Sequence, residues 1–376
     1  MQKRIEVGVL GATGMVGQQF INQLAGHPWF ELTWLAASER SEGKRYSEAA
    51  PWRLDSPIPE GVAGRSVEAC TPGRGPKLVF SALDASVAGE IEQAFAAAGH
   101  FVVSNSRNHR MDPMVPLVVP EVNGDHLGLL RFQQRAAEQR AAERAGFTPA
   151  SAAGGPGGAT QHPPERKGAI VTNPNCSTVV LTMALAPLKP FGLRSCLVTT
   201  MQAVSGAGYP GVASLDVLGN VIPFIGGEEE KIESETRKIL GSFADGKVTF
   251  HPVHVSAATN RVAVIDGHTE AVAVALEQKP SAAELRAAFD GFSAAPQRLG
   301  LPSAPQQPVL YLDQPNRPQP RFDAGRGRGM QVTVGRLRPC PVLDWKFVAL
   351  GHNTVRGAAG AALLNAELMV AEGWLD

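Results

Sequence analysis

Residues 5–17 read IEVGVLGATGMVG. The first six, IEVGVL, form an apolar run rich in branched side chains, as in a strand buried in a parallel sheet. Glycines follow at 11 and 14, and then Met15, Val16, Phe20, Ile21 and Leu24 recur at helical spacing. ELTWLAAS at 31–38 has the composition of a second strand. Strand, glycine turn, helix and strand make a βαβ dinucleotide-binding unit. Gly11 and Gly14 let the backbone approach a diphosphate, and the helix N-terminus supplies N–H donors and a positive dipole end. A bare glycine pattern fits a ligand-free tight turn equally well. Its place between a strand and a helix argues for the ligand.

The alternation continues outward from that unit. LVFSAL (78–83), a helix near 87–98 and FVVSNS (101–106) follow, and PLVVPEV (116–122) predicts one more strand. Such alternation implies a parallel sheet covered on both faces. Residues 131–168 interrupt it. RFQQRAAEQRAAERAG is charged and alanine-rich, a solvated helix; FTPASAAGGPGGATQHPPERKG reads as a mobile surface excursion with no catalytic part. From 169 the character changes. A buried helix follows Cys176, LVTTMQAVSGAGYPG ends a strand in a glycine-rich turn, and IGGEEEKIESETRKIL is a charged amphipathic helix. Extended segments VTFHPVHVSA, NRVAVIDGHTEAVAVAL, GMQVTVGRLRP and LDWKFVAL then predict a mixed or antiparallel sheet. The chain closes on a long small-residue helix, HNTVRGAAGAALLNAELMVAEGW. The expectation is an α/β protein: an N-terminal Rossmann-type parallel-sheet domain and an α+β second domain with a mixed sheet.

Bulk properties narrow the function. At 376 residues the chain exceeds one simple core, so two domains are expected. A formal net charge of zero argues against nucleic acid and anionic membranes as partners. No apolar run reaches the length of a membrane span. The N-terminus enters a strand at once, leaving no room for a signal peptide. Cys70, Cys176, Cys196 and Cys340 are scattered, which suits a reduced, cytoplasmic protein. The nine histidines form no HExxH or HxxxH cluster, so no metal is expected.

Cys176 carries the chemistry. In TNPNCSTVVLTMALAPL it stands directly before a helix, where backbone N–H groups and the dipole favour thiolate, a nucleophile towards carbonyl carbon. The alternative is a small buried core residue. A nucleophile needs a base, and His268, after the Asp266–Gly267 turn pair, is the best placed. Alone, a strand histidine is as well explained by a structural role. Arg261 lies seven residues earlier, which on one unbroken strand is the opposite face; the Asp–Gly break would let the two converge. Gln202 ends an apolar-alternating strand, where an amide can orient a substrate. Glu228 and Lys231 share a helix face, as a surface pair would too. Arg110 follows a first-domain strand, where open α/β sheets bind ligands. At the end of the second strand, in SERSEGKR, Glu39 would suit NAD, whereas Ser38, Arg40, Ser41 and Lys44 suit a 2′-phosphate. NADP is therefore favoured.

With these residues together, the chain resembles aspartate-β-semialdehyde dehydrogenases of the archaeal and fungal branch. The likeness runs through GATGMVGQQF, SERSEGKRY, SNSRNHRMDPMVPLVVPEVN, TNPNCST, MQAVSGAGYPG, GGEEEKIESETRKIL, NRVAVIDGHTEAV and KFVALGHNTVRGAAGAALLNAEL. It implies a glyceraldehyde-3-phosphate-dehydrogenase-like fold with a catalytic and dimerisation domain over 171–352. The NADP domain would span 1–170, interrupted by the 131–168 insertion and completed by a C-terminal helix in 353–376. The resemblance makes Cys176 the nucleophile, His268 the acid/base and Gln202 the orienting amide. It gives Arg261 the substrate carboxylate, Glu228 the amino group, and Lys231 with Arg110 the phosphate. Gly11, Thr13, Gly14, Met15, Val16, Ser38, Arg40, Ser41 and Ser81 would line the NADP site, with Ser205, Gly206 and Asn353 near the nicotinamide. The implied assembly is a homodimer or homotetramer, and the implied reaction makes L-aspartate 4-semialdehyde from L-aspartyl 4-phosphate. A malonyl-CoA reductase-like enzyme on the same fold is the nearest alternative, and Glu228 speaks for an amino substrate instead. A non-catalytic dinucleotide sensor is the other; the joint presence of Cys176, Gln202, Arg261 and His268 speaks against it.

Overall fold

A computed structural model describes residues 4–144 and 168–375. Its first sheet is built from β1 (Ile5–Leu10), β2 (Phe30–Ala37), β3 (Glu68–Ala69), β4 (Leu78–Ser81), β5 (Phe101–Ser104) and β6 (Ala169–Thr172). These lie in the order β3-β2-β1-β4-β5-β6, every pairing parallel. That is the doubly wound order, and the switch point between β1 and β4 opens a crevice at the strands' carboxyl ends. β4, β5 and β6 are buried at every residue, because helices cover both faces.

The second sheet is mixed. β7 (Leu193–Gln202) precedes a small hairpin of β8 (Ser242–Ala244) and β9 (Lys247–Thr249). β10 (His254–Arg261), β11 (His268–Leu276), β12 (Val309–Leu312), β13 (Val332–Pro339) and β14 (Trp345–Gly351) complete the set. The order is β10-β7-β11-β14-β13-β12. β10 and β12 pair in parallel with their neighbours; the other pairings are antiparallel.

Two expectations are corrected. Residues 116–122 are not a strand: Leu117 makes one isolated bridge to Thr172, and Pro120 opens the helical turn Pro120–Asn123. The prolines at 116 and 120 remove ladder donors, and Pro120 suits the first helical position. VTFHPVHVSA is also no continuous strand, since β9 ends before Pro252 and β10 begins after it. The alanine-rich stretch after residue 131 extends the helix Leu129–Arg144. The Pro/Gly/Ala-rich part of the expected insertion, 145–167, lies outside the described residues.

Among the described residues, two of three apolar cores bear on the site. One joins Val7, Val9, Phe20 and Phe80 to Leu363, Leu364, Leu368 and Met369 of the C-terminal helix Gly360–Ala371. Every residue from Gly360 to Met369 is buried, including Asn365 and Glu367, whose side chains hydrogen-bond to Asn173 and His27. The other packs Val179, Val180 and Met183 against Val198, Val272, Val334 and Phe347. The helix Cys176–Leu185 thus lies beneath the second sheet, buried at every residue after Cys176.

Candidate active site

Three of the expected residues meet by strand register. Arg261 ends β10 opposite Gln202, which ends β7, and Met201 pairs with Thr269, so His268 begins β11 beside Gln202. The odd separation of Arg261 and His268 is no obstacle, because they stand on different strands with β7 between. Both converge on Gly206: a Cβ there would lie 3.1 Å from Arg261 Nη1 and from His268 Cε1. Arg261 Nη1 donates to the Ala203 carbonyl at 2.7 Å.

The helix Cys176–Leu185 supplies the sulfur. Cys176 Sγ lies 3.1 Å from His268 Nε2. The Ala203 N–H donates to His268 Nδ1 at 3.1 Å, so in the neutral ring Nδ1 holds the lone pair and Nε2 the proton facing sulfur. Gly357 closes the site from behind, where a Cβ would lie 2.6 Å from Cys176 Cβ. Gly357 belongs to the π-helical turn Val355–Ala359, which Arg356 anchors through a buried bidentate pair with Glu121 at 2.7 and 2.6 Å.

The helix terminus does not ionise the thiol as expected. Asn175 caps the helix, its Oδ1 accepting from Ser177 N at 3.0 Å and Thr178 N at 3.3 Å. Those amides are spent on the cap and do not face sulfur. Desolvation pushes the Cys176 thiol up to about 12; Glu228 adds to the rise, and Arg110, Arg261 and Lys231 oppose it. Burial, with Arg261 and His352, takes His268 down to about 3. At neutral pH the pair is uncharged.

Around the pair, Glu228 Oε2 accepts from Asn175 Nδ2 at 2.7 Å and Gln202 Nε2 at 3.3 Å, while Oε1 binds Lys231. Burial alone would raise its pKa; Lys231 and the two amides hold it below the usual carboxylate range. Arg110 is buried, its Nη1 donating to Glu235 Oε1 at 3.0 Å and Nη2 to the Asn105 carbonyl at 2.7 Å. The second Glu235 oxygen accepts from Asn175 N at 2.6 Å. Lys238 Nζ donates to the carbonyls of Arg110, Asp112 and Val115, and burial lowers its pKa to about 8. Asn175, Glu235 and Lys238 went unnoticed in the sequence. A signal existed: Glu228, Lys231, Glu235 and Lys238 follow 3-4-3 spacing, one face of the helix Glu228–Ile239.

On the dinucleotide side, Gly11 has φ +74 and a Cβ there would lie 2.6 Å from the Ala82 carbonyl. Gly14 starts the helix Met15–Leu24, whose N-terminus has no side-chain cap and no acidic first turn. Thr13 and Val16 flank it, and Gln18 Nε2 fastens the loop by donating to Thr13 O at 3.1 Å. Ser38 and Arg40 stand exposed just past β2, whereas Ser41 is turned inward. Ser81, at the end of β4, is fully buried. Asn353 donates to Ser205 Oγ at 2.7 Å and accepts from Gly267 N at 2.8 Å. A pocket of about 340 Å³ is lined by Met15, from the helix after the glycine loop, together with Val204, Ser205 and Ile265. Arg53, also unforeseen, lines that pocket with its guanidinium 4.1 Å over the Tyr209 ring.

The fold and pocket define a two-domain, dinucleotide-type dehydrogenase architecture. Residues 6–130 match the NAD binding domain of semialdehyde dehydrogenases and 185–356 their dimerisation domain. The chain is 47% identical to aspartate-semialdehyde dehydrogenase of Archaeoglobus fulgidus, over 98% of this chain and 99% of that one. The enzyme of Cryptococcus neoformans is 47% identical over 99% of each. A crystal structure of aspartate semialdehyde dehydrogenase with NADP from Candida albicans matches at TM-score 0.85 and 40% identity, over 99% of this chain and 100% of that one. The chain belongs to the aspartate-semialdehyde dehydrogenase family.

Proposed function

We propose that this chain converts L-aspartyl 4-phosphate to L-aspartate 4-semialdehyde and phosphate, with NADPH as reductant, through a thioester on Cys176. The observation that carries the reading is the 3.1 Å approach of Cys176 Sγ to His268 Nε2 among Arg261, Glu228, Lys231 and Arg110. Arg261 suits the substrate carboxylate and Glu228 its ammonium group, while Lys231 and Arg110 suit phosphate. Cys176 Sγ bonds to the 4-carbonyl carbon and the carbon–phosphate oxygen bond breaks. As sulfur attacks, the thiol proton leaves with the phosphate; when sulfur is expelled as thiolate, the His268 Nε2–H hydrogen-bonds it until a proton from solvent restores the thiol. Gln202 orients the acyl group. One proton is consumed overall.

The cofactor reading rests on the residues present. The glycine loop admits close approach, and the uncapped helix after Gly14 presents free N–H donors to an anion. NADPH, when bound, supplies the hydride. The exposed Arg40 and Ser38 suit its 2′-phosphate, and Ser205, Gly206 and Asn353 suit its nicotinamide end. We assign 1–170 with 353–376 to cofactor binding and 171–352 to catalysis and assembly; the C-terminal helix shares the first core. A homodimer, or a homotetramer built from it, is the assembly we propose; exposed apolar side chains in the dimerisation region, Leu215 at 92% and Phe224 at 71% among them, support it. Four free cysteines suit the cytoplasm.

The test is a phosphate-dependent assay with L-aspartate 4-semialdehyde and either NADP or NAD. Cys176→Ser should lower turnover by about 10³-fold or more while NADPH fluorescence titration is unchanged. Undiminished turnover in that variant refutes the assignment.

A further inference from the structure

Glu235 belongs to none of the roles above, yet it touches both halves of the site. It is 1% exposed, on the same helix face as Glu228 and Lys231. One oxygen holds the Arg110 guanidinium at 3.0 Å; the other holds the Asn175 backbone N–H at 2.6 Å. Asn175 is the residue before the sulfur and the cap of its helix, so its placement sets that of Cys176. A carboxylate accepting from a guanidinium and an amide makes two charge-assisted bonds, stronger than neutral ones. No other side chain holds the Asn175 amide among the described residues. Glu228 holds the Asn175 side chain alone, so the two carboxylates grip one residue from two directions.

We propose that Glu235 is a positioning residue that couples phosphate binding to the nucleophile: one carboxylate aims Arg110 and, through Asn175, Cys176. This rests on the reading of Arg110 as a phosphate ligand. A phosphate at Arg110 draws on the same guanidinium that Glu235 holds. Glu235 responds, and the amide on its other oxygen carries the response to the cysteine turn.

The chemistry of Gln identifies the effect. Glu235→Gln keeps the shape, but an amide offers one acceptor oxygen where the site presents two donors, so one bond is lost. Two quantities are read in each variant: KM for inorganic phosphate in the oxidative assay, and the rate of Cys176 alkylation by iodoacetamide with and without phosphate. NADPH affinity reports that the fold is intact. In the parent, phosphate should change the alkylation rate. In Glu235→Gln, KM for phosphate should rise about tenfold or more, and the response of alkylation to phosphate should vanish, with NADPH affinity unchanged. Arg110→Lys should raise KM for phosphate. If alkylation in Glu235→Gln still responds to phosphate as in the parent, the coupling is overturned. If KM for phosphate is unmoved in Arg110→Lys, the reading of Arg110 has failed, and the coupling route with it.

Discussion

Cys176 shows how far a single residue can be read. Its identity as a candidate came from a thiol before an apolar helix, and the structure sets it 3.1 Å from His268. Its charge state did not follow from that position, because Asn175 consumes the first-turn amides and desolvation then dominates. Alkylation of the free enzyme should therefore climb into the alkaline range with no inflection near neutrality, measured as iodoacetamide rate against pH. A neutral inflection at Cys176 would mean an ion pair with His268 instead. Glu270, on the same β11 face as His268, is fully buried, and desolvation raises its pKa well above the carboxylate range. The unfolded chain ionises it at the ordinary value, so its contribution is complete below that value and lost as pH rises. Glu270→Gln should thus gain in Tm over the parent as the pH is raised from about 4, the ordinary carboxylate value, towards neutrality. Equal Tm differences at both ends, by calorimetry, would count against a protonated Glu270.

At the scale of elements, β10, β7 and β11 do the assembling. Each ends or begins on a site residue, so register alone aligns Arg261, Gln202 and His268. Period-two alternation made these segments recognisable as strands, but no local pattern says that β10 pairs with β7 rather than with β11. The π-helical turn is equally invisible in sequence. Its Gly357 leaves room for Cys176, and Gly357→Ala should displace the sulfur. A shift near 1 Å costs about 10²-fold, so kcat should fall by that order while KM for NADP stays within a small factor. A variant with unaltered kcat would show that the turn yields. The C-terminal helix is a packing element, and Leu364→Ala should cost about 2–5 kcal/mol in urea unfolding.

Across the whole molecule, residues of the dinucleotide side (Met15, Arg53) and of the second domain (Val204, Ser205) line one pocket, and the apolar surface of the dimerisation region suits a second copy. Replacing both Leu218 and Phe224 with Asp should shift the sedimenting species towards the monomer, read by analytical ultracentrifugation. An unchanged mass would place the interface elsewhere. Periodicity and glycine punctuation sufficed for a parallel dinucleotide sheet followed by a mixed one, since burial imposes those patterns on each element separately. The residues Cys176, His268, Gln202, Arg261 and Glu228 stood out by chemistry at element ends. Asn175, Glu235 and the Arg356–Glu121 pair did not, because their significance is a partner 60 or more positions away, as between Asn175 and Glu235. Local sequence encodes which face is apolar and where a chain turns; which polar atoms meet, and whether a half-buried thiol keeps its proton, depends on desolvation and neighbours that exist only once the chain has folded.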